Sequence, residues 1–192
     1  MCGRYALHSN PDVIALQFGL QALPQVQPRY NIAPASQVLA VRSDGASFLH
    51  WGFRRKTPNL RAETSARRRN RCLMPANGFY EWKREGARSQ PYYVRSAKGD
   101  LFALAAIWDG DTCAVLTTAA NRTMSRIHDR MPVLIDTDRY SAWLAGAEGL
   151  LAPAADESIL AYPVNAAVNR TANDSPGLIQ PVPANMRDLF DD

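Results

Sequence analysis

Short apolar runs broken by turn dipeptides dominate the middle of the chain. Residues 78–84, 91–97, 101–108 and 112–118 are rich in aromatic, β-branched and small apolar side chains, which predicts strands. Glu85-Gly86, Lys98-Gly99 and Asp109-Gly110 supply the turns between them. Upstream, residues 37–42 and 46–53 read as a hairpin around Asp44-Gly45. A strand at residues 131–135 and a short one at residues 3–7 complete the β set. Two helices are predicted. The first starts at Pro11 behind Ser9 or Asn10 as cap, with Val13, Ile14 and Phe18 as its apolar face. The second runs over 138–145, capped by Asp136 or Thr137 and stopped at Gly146. Residues 21–36, with Pro24, Pro28 and Pro34, read as a loop, and the chain is irregular from Asp174 onward. The class is α+β: a single domain over 1–192 with a curled, barrel-like β core, flanking helices and a tail from about residue 184.

Composition narrows the function. At 192 residues and 46% hydrophobic the chain can build a sizeable core. It contains no apolar run of about 18 residues, and no apolar segment follows Met1-Cys2-Gly3-Arg4-Tyr5. A cytoplasmic protein is expected, nucleoid-associated in a bacterium. Cys2, Cys72 and Cys113 are odd in number and include no C-x-x-C pair, so neither a disulfide framework nor a metal site is indicated. Cys72 and Cys113 sit in apolar runs and read as buried strand cysteines. No Rossmann glycine fingerprint or P-loop is present, and no cofactor is expected. Between Arg54 and Arg71 eight bases stand against one acid, Glu63, although the whole chain carries only +4. Such a segment suits phosphate, and equally a solvated loop.

Four residues suggest chemistry. Removal of Met1 would give Cys2 an α-amine beside its thiol, a pair suited to aldehydes: the amine condenses to a Schiff base and the thiol closes a five-membered ring. Glu81 shares a strand face with Phe79, and burial there favours acid/base work. His128, in Ile127-His128-Asp129-Arg130-Met131-Pro132, can pass protons near neutral pH. Asn59 can hold a reacting amine or oxygen without changing charge, and Arg61 can hold a phosphate. Each also has a plain structural reading: an incidental cysteine, an edge-strand glutamate, a loop histidine paired with Asp129, a turn asparagine after Pro58.

Taken together, the motifs resemble a family. Met1-Cys2-Gly3-Arg4-Tyr5, Arg29-Tyr30-Asn31-Ile32-Ala33-Pro34, Trp51-Gly52, Asn59-x-Arg61-Ala62-Glu63-Thr64, Arg71-Cys72-Leu73-Met74-Pro75-Ala76-x-Gly78-Phe79-Tyr80-Glu81-Trp82-Lys83, Gln90-Pro91-Tyr92-Tyr93, the His128 segment and Tyr162-Pro163-Val164-Asn165 occur in order. This resembles the SOS-response-associated-peptidase (SRAP) family of abasic-site-processing proteins, from Cys2 to about Pro183. The resemblance implies a compact β core with a basic channel for single-stranded DNA. It implies a covalent thiazolidine crosslink between Cys2 and the ring-opened abasic sugar, lyase and crosslink-reversal activity, autocatalytic or aminopeptidase removal of Met1, and a monomer. Asn59 is then the residue that positions the terminal amine, Glu81 the acid/base glutamate, and His128 the histidine of ring opening and reversal. Arg4, Pro34 and Arg61 resemble DNA-contacting positions, and Thr117 and Thr118 resemble residues near the sugar. Trp51, Arg67, Arg68 and Arg69 complete the expected DNA-binding set.

Two loops depart from the family pattern. Only residues 53–58 separate Trp51-Gly52 from Asn59, where relatives carry a longer loop, often with a second tryptophan. Only residues 65–70, half of them arginine, precede Arg71. The resemblance therefore carries no expectation of junction preference. Three other readings compete: an N-terminal-nucleophile glutamine amidohydrolase with Asn77-Gly78 as its oxyanion asparagine, a non-covalent single-strand binder stacking bases on Trp51 and Phe53, and a thiol protease using Cys2 and His128. Neutralising Arg67, Arg68 and Arg69 together is expected to weaken single-strand binding and flatten its salt dependence. An unchanged slope of log affinity against log salt would show that these arginines touch no phosphate.

Overall fold

The computed structural model describes residues 2–65, 70–147 and 149–182. In chain order the elements are β1 (Arg4–Leu7), α1 (Pro11–Phe18), β2 (Arg29–Ile32), β3 (Gln37–Arg42), β4 (Gly45–Trp51), β5 (Asn59–Arg61), α2 (Ala62–Ser65), β6 (Arg71–Ala76), β7 (Gly78–Glu85) and β8 (Arg88–Ser96). They continue with β9 (Phe102–Asp109), β10 (Thr112–Ala119), α3 (Arg122–Ser125), β11 (Arg130–Pro132), α4 (Tyr140–Leu144) and β12 (Ile159–Pro163). Among the described residues no helix is long and apolar enough to cross a membrane.

The strands form two sheets, and the larger one closes on itself. Its order is β11-β10-β4-β3-β6-β9, and β9 pairs back onto β10. The closure is mixed: β10 runs parallel to β4, with Cys113 opposite Trp51, and antiparallel to β9, with Cys113 opposite Trp108. This is the expected α+β fold with a curled β core. The second sheet, β12-β8-β7-β1-β2, lies over it. Tyr5, Phe79 and Val94 belong to the main core, whereas the alternate residues Ala6, Tyr80 and Tyr93 face outward and are covered by Val164, Val168 and Leu178, as a period of two requires.

Local chemistry explains most elements. Asn10 caps α1 by accepting from the Asp12 amide at 2.8 Å, Pro11 takes the first helical position, and Gly19 ends the helix at φ 63°. The hairpins follow the turn dipeptides, with Gly86 and Gly110 at φ 61° and 58°. Four expectations need correcting. Val13 is half exposed, so α1 buries Ile14 and Phe18 alone on its inner side. Residues 29–32 are a strand, not loop, because β1 offers them a free edge, with Tyr5 opposite Ile32. The second helix is a 3-10 turn over Thr137–Arg139 followed by α4, and Asp136 makes no side-chain cap. The strand expected over 131–135 is shorter, Arg130–Pro132, with Leu134 forming only an isolated bridge to Leu104.

Asn77 links β6 to β7 and ties both to the start of α1. Its side-chain Oδ1 accepts from the His8 and Ser9 backbone amides at 2.7 and 3.0 Å, and its Nδ2 donates to the Ser9 hydroxyl at 2.7 Å. Gly78, next in sequence, allows a close approach of strands: a Cβ there would lie 2.5 Å from the Val94 carbonyl oxygen and 2.5 Å from Cζ of Tyr93. Gly78→Ala is therefore expected to destabilise the fold by about 1–3 kcal/mol through overpacking, read as a lower urea midpoint with an unchanged slope.

Candidate active site around Cys2

Cys2 precedes β1 and is wholly buried. The Asn59 side chain, at the start of β5, donates from Nδ2 to the Cys2 carbonyl at 2.7 Å. The other amide atom, Oδ1, is buried and accepts no hydrogen bond from the described residues, leaving an acceptor available beside Cys2. Glu81 lies on β7 and is 3% exposed. β7 runs beside β1, with Arg4 opposite Tyr80, which carries Glu81 toward Cys2. Burial, and next the Glu81 carboxylate, push the Cys2 thiol up to about 12. That thiol is protonated at neutral pH. The structure thus brings Cys2, Asn59 and Glu81 together.

His128 is connected to β5, which begins with Asn59, through β10. It stands two residues before Arg130 on β11, and β11 and β5 flank β10 on opposite edges: Thr117 is opposite both Pro132 and Arg61. The His128 Nδ1 accepts from the Arg130 backbone amide at 3.0 Å and lies 2.8 Å from the Asp129 carboxylate. A neutral Nδ1 can serve the first partner and a protonated one the second. Each protonation state of the ring therefore finds a partner, as a proton-passing group needs.

The remaining expected residues fall in varied surroundings. Arg61 is exposed, and Thr118 is 7% exposed on β10. Thr117 is wholly buried, its hydroxyl donating to the Leu60 carbonyl at 3.3 Å and accepting from Arg130 at 3.3 Å. Pro34 is half-buried before Ala35, which adopts φ 68°. Arg4 lies on the outer face of the smaller sheet, donating to Asn31 Oδ1 at 2.7 Å and the Val168 carbonyl at 2.9 Å, with its guanidinium 5.9 Å from the Trp82 ring centre. Arg67, Arg68 and Arg69 lie outside the described residues.

Trp51 is a correction. Its ring has no exposed surface, stands edge-on to Tyr5 at 5.4 Å, and donates from Nε1 to the Pro58 carbonyl at 2.9 Å. No face is left for a base. Cys2 is buried too, next in sequence to Met1, the residue whose removal the expected chemistry requires. Phe53 is also buried, so the two rings of the stacking alternative both lie inside. The amidohydrolase alternative loses its oxyanion asparagine, since the Asn77 amide is committed to His8 and Ser9. The basic segment is likewise less free than its charge suggests: Arg54 pairs with Asp109 at 2.9 Å and Arg55 pairs with Asp111.

Two functional-looking features escaped the sequence reading. Asn31 is buried and donates to the carbonyls of Val168, Arg170 and Asn173, fixing the chain that covers the smaller sheet. Arg130 grips Glu63 with both ends of its guanidinium, at 2.7 and 2.9 Å, and also donates to the Thr117 carbonyl at 2.5 Å. Glu63 and Arg130 stood in two of the matched motifs, but 67 residues apart, and nothing in a linear pattern pairs them. Among the described residues no three His, Cys, Asp or Glu side chains gather as a metal site requires.

Comparison with known proteins gives a consistent picture. The sequence model of the SOS response associated peptidase (SRAP) family matches residues 1–171. The abasic site processing protein YoqW of Bacillus subtilis is 33% identical over 222 residues, covering 94% of this chain and 99% of its own. The abasic site processing protein YedK of Escherichia coli is 30% identical, covering 95% and 100%. A crystal structure from Bacteroides thetaiotaomicron shares the fold, with a TM-score of 0.84 at 22% identity over 95% of this chain and 100% of that one.

The hydrogen bonds from Arg130 hold the Glu63 carboxyl down at about 2. A carboxyl depressed below its ordinary value stabilises the fold at pH above that value, and the contribution fades as pH falls through 4 toward 2. With 52% of the Glu63 side chain exposed, solvent screening keeps the pair small. Glu63→Gln is expected to cost under about 1 kcal/mol at pH 7 and less at pH 2, measured by denaturant unfolding at both.

Proposed function

The chain belongs to the SOS response associated peptidase (SRAP) family, and from that membership we propose that it processes abasic sites in single-stranded DNA by capturing the ring-opened sugar on Cys2 after Met1 is removed. One observation carries this reading: the carbonyl of residue 2 is held by Asn59 while the Glu81 carboxylate acts on the same residue's thiol. A site is thereby built around the residue that becomes the amino terminus.

The chemistry follows from those groups. With Met1 gone, the Cys2 amine has a reference pKa of about 7.7–8.0 and is partly neutral near pH 7. It adds to the C1′ aldehyde of the open sugar, and loss of water leaves a Schiff base. The thiol then adds to the imine carbon: a C–S bond forms, the C=N π pair moves to nitrogen, and nitrogen takes a proton. The ring that results is a thiazolidine. Because the buried thiol is protonated at neutral pH, the amine acts first and the thiol second, the reverse of a thiol protease. Glu81 takes the thiol proton and returns it to the ring nitrogen. His128 serves ring opening and reversal, with Nδ1 partnered in both protonation states. The free Oδ1 of Asn59 accepts from the new amine. Loss of a C2′ proton from the Schiff base would expel the 3′ phosphate, which is the lyase step. The crosslink shields the lesion.

DNA reaches the site past Arg61, Pro34 and Thr118, with Arg4 and the arginines at 67–69 engaging phosphate, and the protein acts as a monomer. No cofactor takes part in any of these steps.

Intact mass after incubation with an oligonucleotide carrying one abasic site tests the proposal. The expected result is protein lacking Met1 together with a protein–DNA species. Cys2→Ala should remove that species and leave non-covalent binding, and Glu81→Gln should slow its formation by about a hundredfold or more. An undiminished adduct in Cys2→Ala, or retention of Met1, would overturn the mechanism.

A further inference from the structure

We infer that Trp51 is a positioning residue for Cys2, acting through Pro58 and Asn59. This rests on the function proposed above and adds a residue to its machinery. One rigid indole touches both arms of the site. On one side its N–H donates to the Pro58 carbonyl at 2.9 Å. The Val115 amide donates to the same oxygen at 3.0 Å, so both of its acceptor positions are used. Pro58 leads directly into Asn59, whose side chain holds the Cys2 carbonyl at 2.7 Å. On the other side the indole stands at 71° to Tyr5, three residues beyond Cys2 on β1.

The indole is itself immobilised. Its backbone amide donates to Ser36 at 2.9 Å and its carbonyl accepts from Ala35 at 2.8 Å, while the next amide, Gly52, donates to Cys113 at 2.8 Å. The short loop between Trp51 and Asn59 gives the indole N–H its importance. Phe53 and Thr57 bridge across that loop, and Arg54 and Arg55 adopt left-handed backbone at φ 51° and 58°, a conformation costly for residues with a Cβ. Such a loop, left to itself, would relax and let Pro58 drift. The bond from β4 counters this and sets where β5 begins. Asn59 then meets Cys2 at hydrogen-bonding distance, and reacting groups are sensitive to displacements of about 1 Å.

Trp51→Phe keeps an apolar ring in the core and removes only the donor. The expected result is a split. Binding of an undamaged single-stranded oligonucleotide stays within twofold of wild type, while adduct formation slows about tenfold, the factor one hydrogen bond of ordinary net strength supplies. In NMR hydrogen exchange the Asn59 side-chain amide loses protection while backbone amides of β9 and β6 keep theirs. Equal losses in binding, rate and core protection would overturn the inference, leaving Trp51 as packing alone. So would an unchanged rate with Asn59 still protected. If Trp51→Phe does not fold, Pro58→Gly loosens the same carbonyl with the indole in place, and absence of the split there overturns the inference equally. If wild type forms no adduct, the proposed function fails, and Asn59 protection still decides the positioning role on its own.

Discussion

A strand buried along nearly its whole length must find hydrogen-bond partners on both edges without help from water, and β10 meets that demand in an unusual way. Its first half is flanked by β9 and β4, its second half by β5 and β11. Thr112 to Thr118 are all buried, so leaving either edge open would cost several unpaired backbone groups. Satisfying the first half closes the barrel. Satisfying the second half recruits two three-residue strands too short to persist alone, and these carry Asn59 and the segment after His128. The demand that completes the core therefore also positions Asn59 and the segment that follows His128.

Elements whose signal is local were legible in the sequence. Hairpins announced themselves through alternation and turn dipeptides, and α1 through Asn10 and Pro11. Elements created by a partner were not: Arg29–Ile32 becomes a strand only because β1 lies beside it, and Asn59–Arg61 only because β10 does. Val13 lies about 100° round the helix from Ile14, and apolar character alone does not say how wide a stripe the neighbouring sheet will cover.

The same division holds at the site. Cys2, Asn59 and Glu81 were singled out by chemical type, and the fold joins them. Trp51 was misread because a large aromatic beside a basic segment looks the same in sequence whether it faces a base or a core. Arg54 and Arg55 were counted as surplus charge because Asp109 and Asp111 sit some 55 residues away. Their pairing takes two of the eight bases out of that surplus, so charge density along the chain overstated the positive charge left unpaired.

The burial of Cys2 has a further chemical consequence. Sulfur is oxidised by peroxides mainly as the exposed thiolate. All three cysteines here are buried, and their thiols are raised above the ordinary range. If Cys2 is the nucleophile proposed above, keeping it protonated beneath the surface slows its oxidation by peroxides.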